Sequence, residues 1–124
     1  MDLTRRIVVG VLISLLAPAA IAQQKSAPPP LKVTTGAYEC WANGAPRLLL
    51  NFSIRSTTEY RDSDNKPGTY TYDSKTGRIT FKGGGLDGVM PRNFYSIYHE
   101  PKGRPTVSFR NAQGSEASFC ERTK

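Results

Sequence analysis

From residue 33 onward the chain alternates with a period of two. In residues 47–55, Leu48, Leu50, Phe52 and Ile54 fall on one face and Arg47, Asn51, Ser53 and Arg55 on the other, with Leu49 the exception. Tyr70 and Tyr72 share a face, as do Ile79 and Phe81, Val107 and Phe109, and Ala117 and Phe119. A strand sends successive side chains to opposite sides, so each stretch reads as a half-buried strand. No window of helical length carries a helical stripe.

Short turn signals separate these stretches: 73–77 ending in Gly77, Pro101-Lys102-Gly103, residues 111–114, and the longer polar run 62–68. Gly77 suits a left-handed position in a bulged hairpin. Strands spaced by about ten residues predict an all-β fold, a small antiparallel meander of seven or eight strands. A meander of that size closes into a barrel or folds over as two sheets.

Cys40 and Cys120 lie near the two ends of this region. Paired as one disulfide, they would tie the first strand to the last, which favours a closed or nearly closed barrel. A domain this small buries only about 60–65% of its unfolded surface, so a covalent link matters to it. Two distant cysteines and one histidine do not make a zinc site, and no metal or cofactor is expected.

The N-terminus carries a different pattern. Arg5 and Arg6 precede the apolar run 7–16, and Ala20-Ile21-Ala22 offers a small-residue cleavage site. This is the pattern of a secretory signal peptide over 1–22, with a mature start at Gln23. The run is roughly half the ~20 residues a membrane span needs, so no span is expected after processing. Residues 23–32, with Pro28-Pro29-Pro30, read as a proline-rich disordered leader, and 33–124 as the single β domain. Export to the periplasm or medium of a bacterium follows as the expectation.

The formal charge is +7, and loss of Arg5, Arg6 and Asp2 leaves +6. A basic exported domain is drawn to anionic surfaces such as lipopolysaccharide, anionic lipid or acidic polysaccharide. The cations are spread along the chain with no Lys/Arg run, so a specific nucleic-acid partner is not expected.

The run Gly83-Gly84-Gly85-Leu86-Asp87-Gly88 raises the question of a phosphate cradle. Glycines 83, 85 and 88 match a dinucleotide spacing, but that motif opens a helix inside a βαβ unit. Here Val89-Met90-Pro91 follows, and proline opposes a helix interior. The glycines instead serve backbone geometry: positive φ, or close approach to another strand.

Catalytic chemistry finds little footing. His99 is the sole histidine, no Gly-x-Ser-x-Gly elbow exists, and the carboxylates are scattered. A small hydrolase built on His99 stands as one alternative; the expectation is a non-catalytic binding or structural protein of the cell envelope that takes an anionic envelope component or a protein partner. Asp62-Ser63-Asp64-Asn65 lacks the glycine and terminal glutamate of a calcium loop and reads as a solvated turn. Asn51-Phe52-Ser53 fits a glycosylation acceptor but lies in an expected strand. Most of the aromatics alternate into the core. Tyr60, Tyr95 and Tyr98 lie near Arg61 and Arg92 in sequence, and tyrosine beside arginine suits contact with a sugar or polyanion. These five are the candidate ligand-binding residues.

Gly36-Ala37-Tyr38-Glu39-Cys40, Gly68-Thr69-Tyr70, residues 76–81, residues 84–88 and Cys120-Glu121 form an ordered set. The layout resembles small exported bacterial proteins of unknown function, which implies a β fold and no catalytic residue. Tyr38-Glu39-Cys40 also resembles the opening of periplasmic C-type lysozyme inhibitors, themselves small β-barrels. Their Ser-Gly-x-x-Tyr loop has no clear match, since Pro67-Gly68-Thr69-Tyr70 lacks the serine. A basic lysozyme and a +6 chain would also repel, so a periplasmic lysozyme inhibitor stands only as a second alternative.

Overall fold

The computed structural model describes residues 27–124. The expected signal segment, 1–22, and leader residues 23–26 lie outside the described residues. Nine strands follow in order: β1 (Gly36–Ala42), β2 (Ala45–Pro46), β3 (Phe52–Ile54), β4 (Glu59–Arg61), β5 (Pro67–Asp73), β6 (Arg78–Lys82), β7 (Tyr95–His99), β8 (Thr106–Arg110) and β9 (Glu116–Arg122). From β3 on, each pairs antiparallel with the next, β3 pairs with β1, and β9 returns to β1. The two-residue β2 folds back on β1 alone. The result is a closed eight-stranded antiparallel barrel with one extra strand. Among the described residues no helix is long and apolar enough to cross a membrane.

Alternation fills the interior as the period predicts. In β5 and β6, Tyr70, Ile79 and Phe81 point inward and their neighbours outward. The core is largely aromatic: the Phe81 ring lies 5.4 Å from Phe52, 5.0 Å from Tyr60 and 6.3 Å from Tyr70. Tyr38 stacks on Phe52 at 4.9 Å. An eight-stranded barrel is just wide enough to be filled by such side chains.

Each mouth of the barrel is stopped by a connecting segment. Where β1 begins, Val33 is 4% exposed and enters the core, and the Tyr38 hydroxyl donates to the Thr34 carbonyl at 2.6 Å. At the opposite mouth the β6–β7 connection, 83–94, inserts the buried Leu86.

Four sequence expectations change. Leu48–Leu50 is a 3-10 turn, not the start of a strand, because the chain must swing from β2 back to β3. Leu48 and Leu49 consequently stand exposed, and Leu50 alone packs on the core. In β9, Ser118 and Cys120 point inward, so Ala117 and Phe119 occupy the outer side. The end of the leader is not free: the Tyr72 hydroxyl donates to the Pro30 carbonyl at 2.6 Å. An extended proline run has no internal hydrogen bonds, so its carbonyls are open acceptors. Asn51 is used internally, its side-chain oxygen accepting the Cys40 N–H at 2.8 Å.

Cys40 and Cys120 face each other across β1 and β9, disulfide-bonded, with Cα atoms 3.9 Å apart. They are 80 residues apart in sequence. The chain-entropy account gives a loop of this length about 4–5 kcal/mol of stabilisation. Replacing both cysteines with Ala is expected to lower stability in guanidinium unfolding by about that amount. A loss below about 1 kcal/mol would show that the strand ladder alone holds the barrel closed.

Candidate functional site

The ladder is shortest at two places in the barrel wall, β3–β4 and β6–β7, with two residue pairs each, and a cleft opens at the second, the seam. β5 and β6 pair through five residues each, and so do β7 and β8. Between β6 and β7 only Arg78↔Ile97 and Ile79↔Ser96 pair. Thr80, Phe81 and Lys82 therefore have no β7 partner, and the loop 83–94 lies over the opening. A cleft of about 240 Å³ sits there. Its floor is the barrel core itself, through Ile79, Phe81 and Phe109. Leu86, Val89, Met90 and Phe94 of the loop complete the apolar lining. Arg78 and Tyr95 stand at its rim on the two sides of the seam, the guanidinium stacked 4.7 Å above the phenol ring.

The loop is held at its first half by two side chains of the β4 region. The Tyr60 hydroxyl donates to the Gly83 carbonyl and accepts the Leu86 N–H at 3.1 Å. Asp62 accepts the N–H groups of Asp64 and Lys66, each at 2.8 Å, and that of Gly85 at 2.7 Å. The Lys66 N–H foremost holds this carboxyl below its ordinary range; burial opposes it, and the other two N–H groups assist. Asp62 is thus a buried tie between two loops rather than part of a solvated turn. Gly84 has φ +69, and a Cβ there would stand 2.6 Å from the Tyr60 hydroxyl oxygen. That close approach answers the glycine question in favour of backbone geometry.

The five candidate residues do not form one site. Tyr95 lines the cleft, and exposed Arg92 sits on its covering loop beside the lining residue Pro91. Tyr60 and Tyr98 are both 0% exposed, which corrects the expectation that they offer surface contacts. Their hydroxyls are spent inside: Tyr98 bonds Glu100 and Thr34. Arg61 lies on β4, away from the seam, its Nη1 donating to the Asn65 carbonyl at 3.3 Å. Arg78 escaped the sequence reading because no sequence pattern pairs it with Tyr95 across an incomplete ladder. Val89, Met90 and Phe94 did leave a signal: three apolar residues in a twelve-residue connection are there to cover something.

His99 ends β7 and lines a second cleft of about 270 Å³ on the outer face, with Arg104, Glu116, Phe119 and Glu121. Its Nε2 is buried without a hydrogen-bond partner among the described residues. Burial foremost, then nearby Arg110, lowers its pKa, while Glu116 pulls the other way. Ser108 on the same face is 0% exposed and donates to Glu116 at 2.6 Å, not to the histidine. A histidine-activated nucleophile needs that missing contact. Pro67–Tyr70 runs in β5 with Tyr70 buried, so it is no projecting loop of the lysozyme-inhibitor kind. No group of three or more His, Cys, Asp or Glu is placed to hold a metal ion among the described residues.

Two outcomes follow. Gly84→Ala is expected to cost about 2 kcal/mol or more, whereas Gly88→Ala, at φ +70 with nothing within 4 Å of its Cβ, costs about 1 kcal/mol. Urea unfolding of the two variants compares them; equal losses would remove the Tyr60 contact as the cause. For His99 the folded chain disfavours the protonated ring, while the unfolded chain takes a proton near 6.5. Its contribution is therefore present above that pH and is lost as pH falls through the lowered folded value. The drop in urea midpoint between about pH 7.5 and about pH 5.5 should shrink in His99→Gln. An unchanged drop would assign it to other groups. No family of known proteins, no curated protein and no solved structure matches the chain.

Proposed function

We propose that the chain is an exported, non-catalytic binding protein of the cell envelope that takes an anionic component at the seam between β6 and β7. The observation that carries this reading is the Arg78 guanidinium stacked on Tyr95 at a cleft lined by both polar and apolar side chains. Stacking orients a planar guanidinium and leaves its edge N–H groups for an oxyanion, and a stacked guanidinium is a preferred partner of phosphate and carboxylate. Arg92 on the covering loop and the +6 charge expected of the mature chain add attraction at longer range. Among the described residues the ion pair is Arg104–Glu121 at 3.5 Å, which leaves Arg78 and Arg92 uncommitted to any carboxylate within them. The disulfide and the leader pattern of residues 1–22 support export.

The test is binding of the mature chain to vesicles of phosphatidylglycerol, with phosphatidylcholine vesicles as the reference and salt as a variable. Binding is expected on the anionic vesicles alone, weakening as salt rises. The Arg78→Ala, Arg92→Ala double variant is expected to bind about tenfold or more weaker, as loss of charge-assisted hydrogen bonds implies. Lys75→Ala with Lys124→Ala removes the same charge elsewhere. Equal weakening in the two double variants, or equal binding to both lipids, would overturn the assignment to the seam.

A further inference from the structure

Resting on that reading, we infer that the ligand is an anionic amphiphile whose short unbranched chain enters the seam cleft while its head group meets Arg78. The cleft is graded in polarity. Its rim carries a cation and a phenol ring; its depth reaches Phe81, Leu86 and Phe109, which belong to the barrel core. A purely polar anion would use the rim and leave the apolar depth unfilled. A neutral apolar molecule would use the depth and leave the guanidinium uncompensated.

Size and shape narrow the class. At about 240 Å³ the cleft lies below the usual span of pockets for drug-sized ligands, roughly 300–1,000 Å³. With ~30 Å³ for a group of water's size, it holds about eight such groups, the size of a short chain. Met90, an unbranched thioether in the lining, adapts its shape to a chain more readily than a branched side chain does. Val89 is 40% exposed on the same loop, an apolar side chain that insertion of a chain would cover.

The loop also supplies the way in. Its first half is tied down by Tyr60 and Asp62. Beyond Leu86 the backbone bonds stay within the loop: Asp87 N–H to Gly84 O at 3.4 Å and Phe94 N–H to Pro91 O at 3.2 Å. Among the described residues the second half makes no backbone hydrogen bond to the barrel and is held by the packing of Met90 on the core. The loop's one carboxylate, Asp87, is turned to the Gly83 N–H at 2.8 Å.

The experiment follows methyl signals of Leu86, Val89 and Met90 by NMR while the mature chain is titrated with butyl, hexyl, octyl and decyl phosphate, each kept monomeric. Affinity is expected to rise roughly fourfold per methylene, since each buried methylene has that worth, and to level off near octyl. Arg78→Ala should weaken every member alike. Val89→Asn should reduce the chain-length dependence and leave the phosphate contact. Inorganic phosphate binding as well as octyl phosphate would overturn the amphiphile and keep the anion reading. Octyl glucoside binding as well as octyl phosphate would overturn the anion reading. An affinity still climbing at decyl would overturn the enclosed chain in favour of surface adsorption, and no binding by any phosphate would overturn both readings.

Discussion

The barrel depends on a set of buried phenols. Five of the six tyrosines, Tyr38, Tyr60, Tyr70, Tyr72 and Tyr98, place their rings in or against the core and send their hydroxyls to a barrel mouth. At one mouth Tyr38 and Tyr98 hold Thr34, Tyr72 holds Pro30, and Tyr70 donates to the Ser56 carbonyl at 2.6 Å. At the other, Tyr60 holds Gly83 and Leu86. Phenylalanines would bury as much ring, but the connecting segments would lose their anchors and buried peptide groups would go unpaired. Burial, the leading cause in each case, raises the pKa of all five, so they remain protonated. A charged phenolate could not donate to the carbonyls, or for Tyr98 to the Glu100 carboxylate, that now receive it.

Closure has a different physical basis. Every strand pair from β3 to β9 joins neighbours in sequence and forms by local hairpin contacts. The β1–β9 pair does not, and it alone must overcome the closure entropy of nearly the whole domain. The disulfide sits on that pair. It reduces the entropy of the unfolded chain at the one junction the meander cannot form locally.

Much of this was legible in the residues. The alternation predicted the strands, the turn residues their spacing, and the cysteine pair the closure. Period two says which residues share a face; it does not say which face is inside. In β9 both faces carry apolar residues, and Phe119 outweighs Ser118 by eye. The cysteines decide the matter: Cys40 points inward beside Tyr38, its partner must do the same, and Phe119 is sent outside. The burial of Tyr60 follows from a related rule, since it stands next to Arg61 in β4. A tyrosine beside an arginine in a strand points to the opposite side from it, so an exposed arginine argues for a buried tyrosine. Arg78 and Tyr95 could not be joined from sequence, because their contact crosses a seam where pairing stops.

The seam's position follows from the interior being full. A packed eight-stranded barrel leaves no room inside, so the ligand we propose would enter through the wall, where ladder pairing is short. Opening it means giving up ladder pairs and covering apolar side chains by other means. The loop 83–94 does the covering with Leu86, Val89, Met90 and Phe94, and hydrogen bonds fix its first half. Its glycines let the chain turn against Tyr60 where no Cβ would fit. The stretch that breaks the strand pattern is therefore the same stretch that creates the cleft. Backbone geometry at the glycines and the cleft at the seam are two consequences of one interruption, not competing explanations of it.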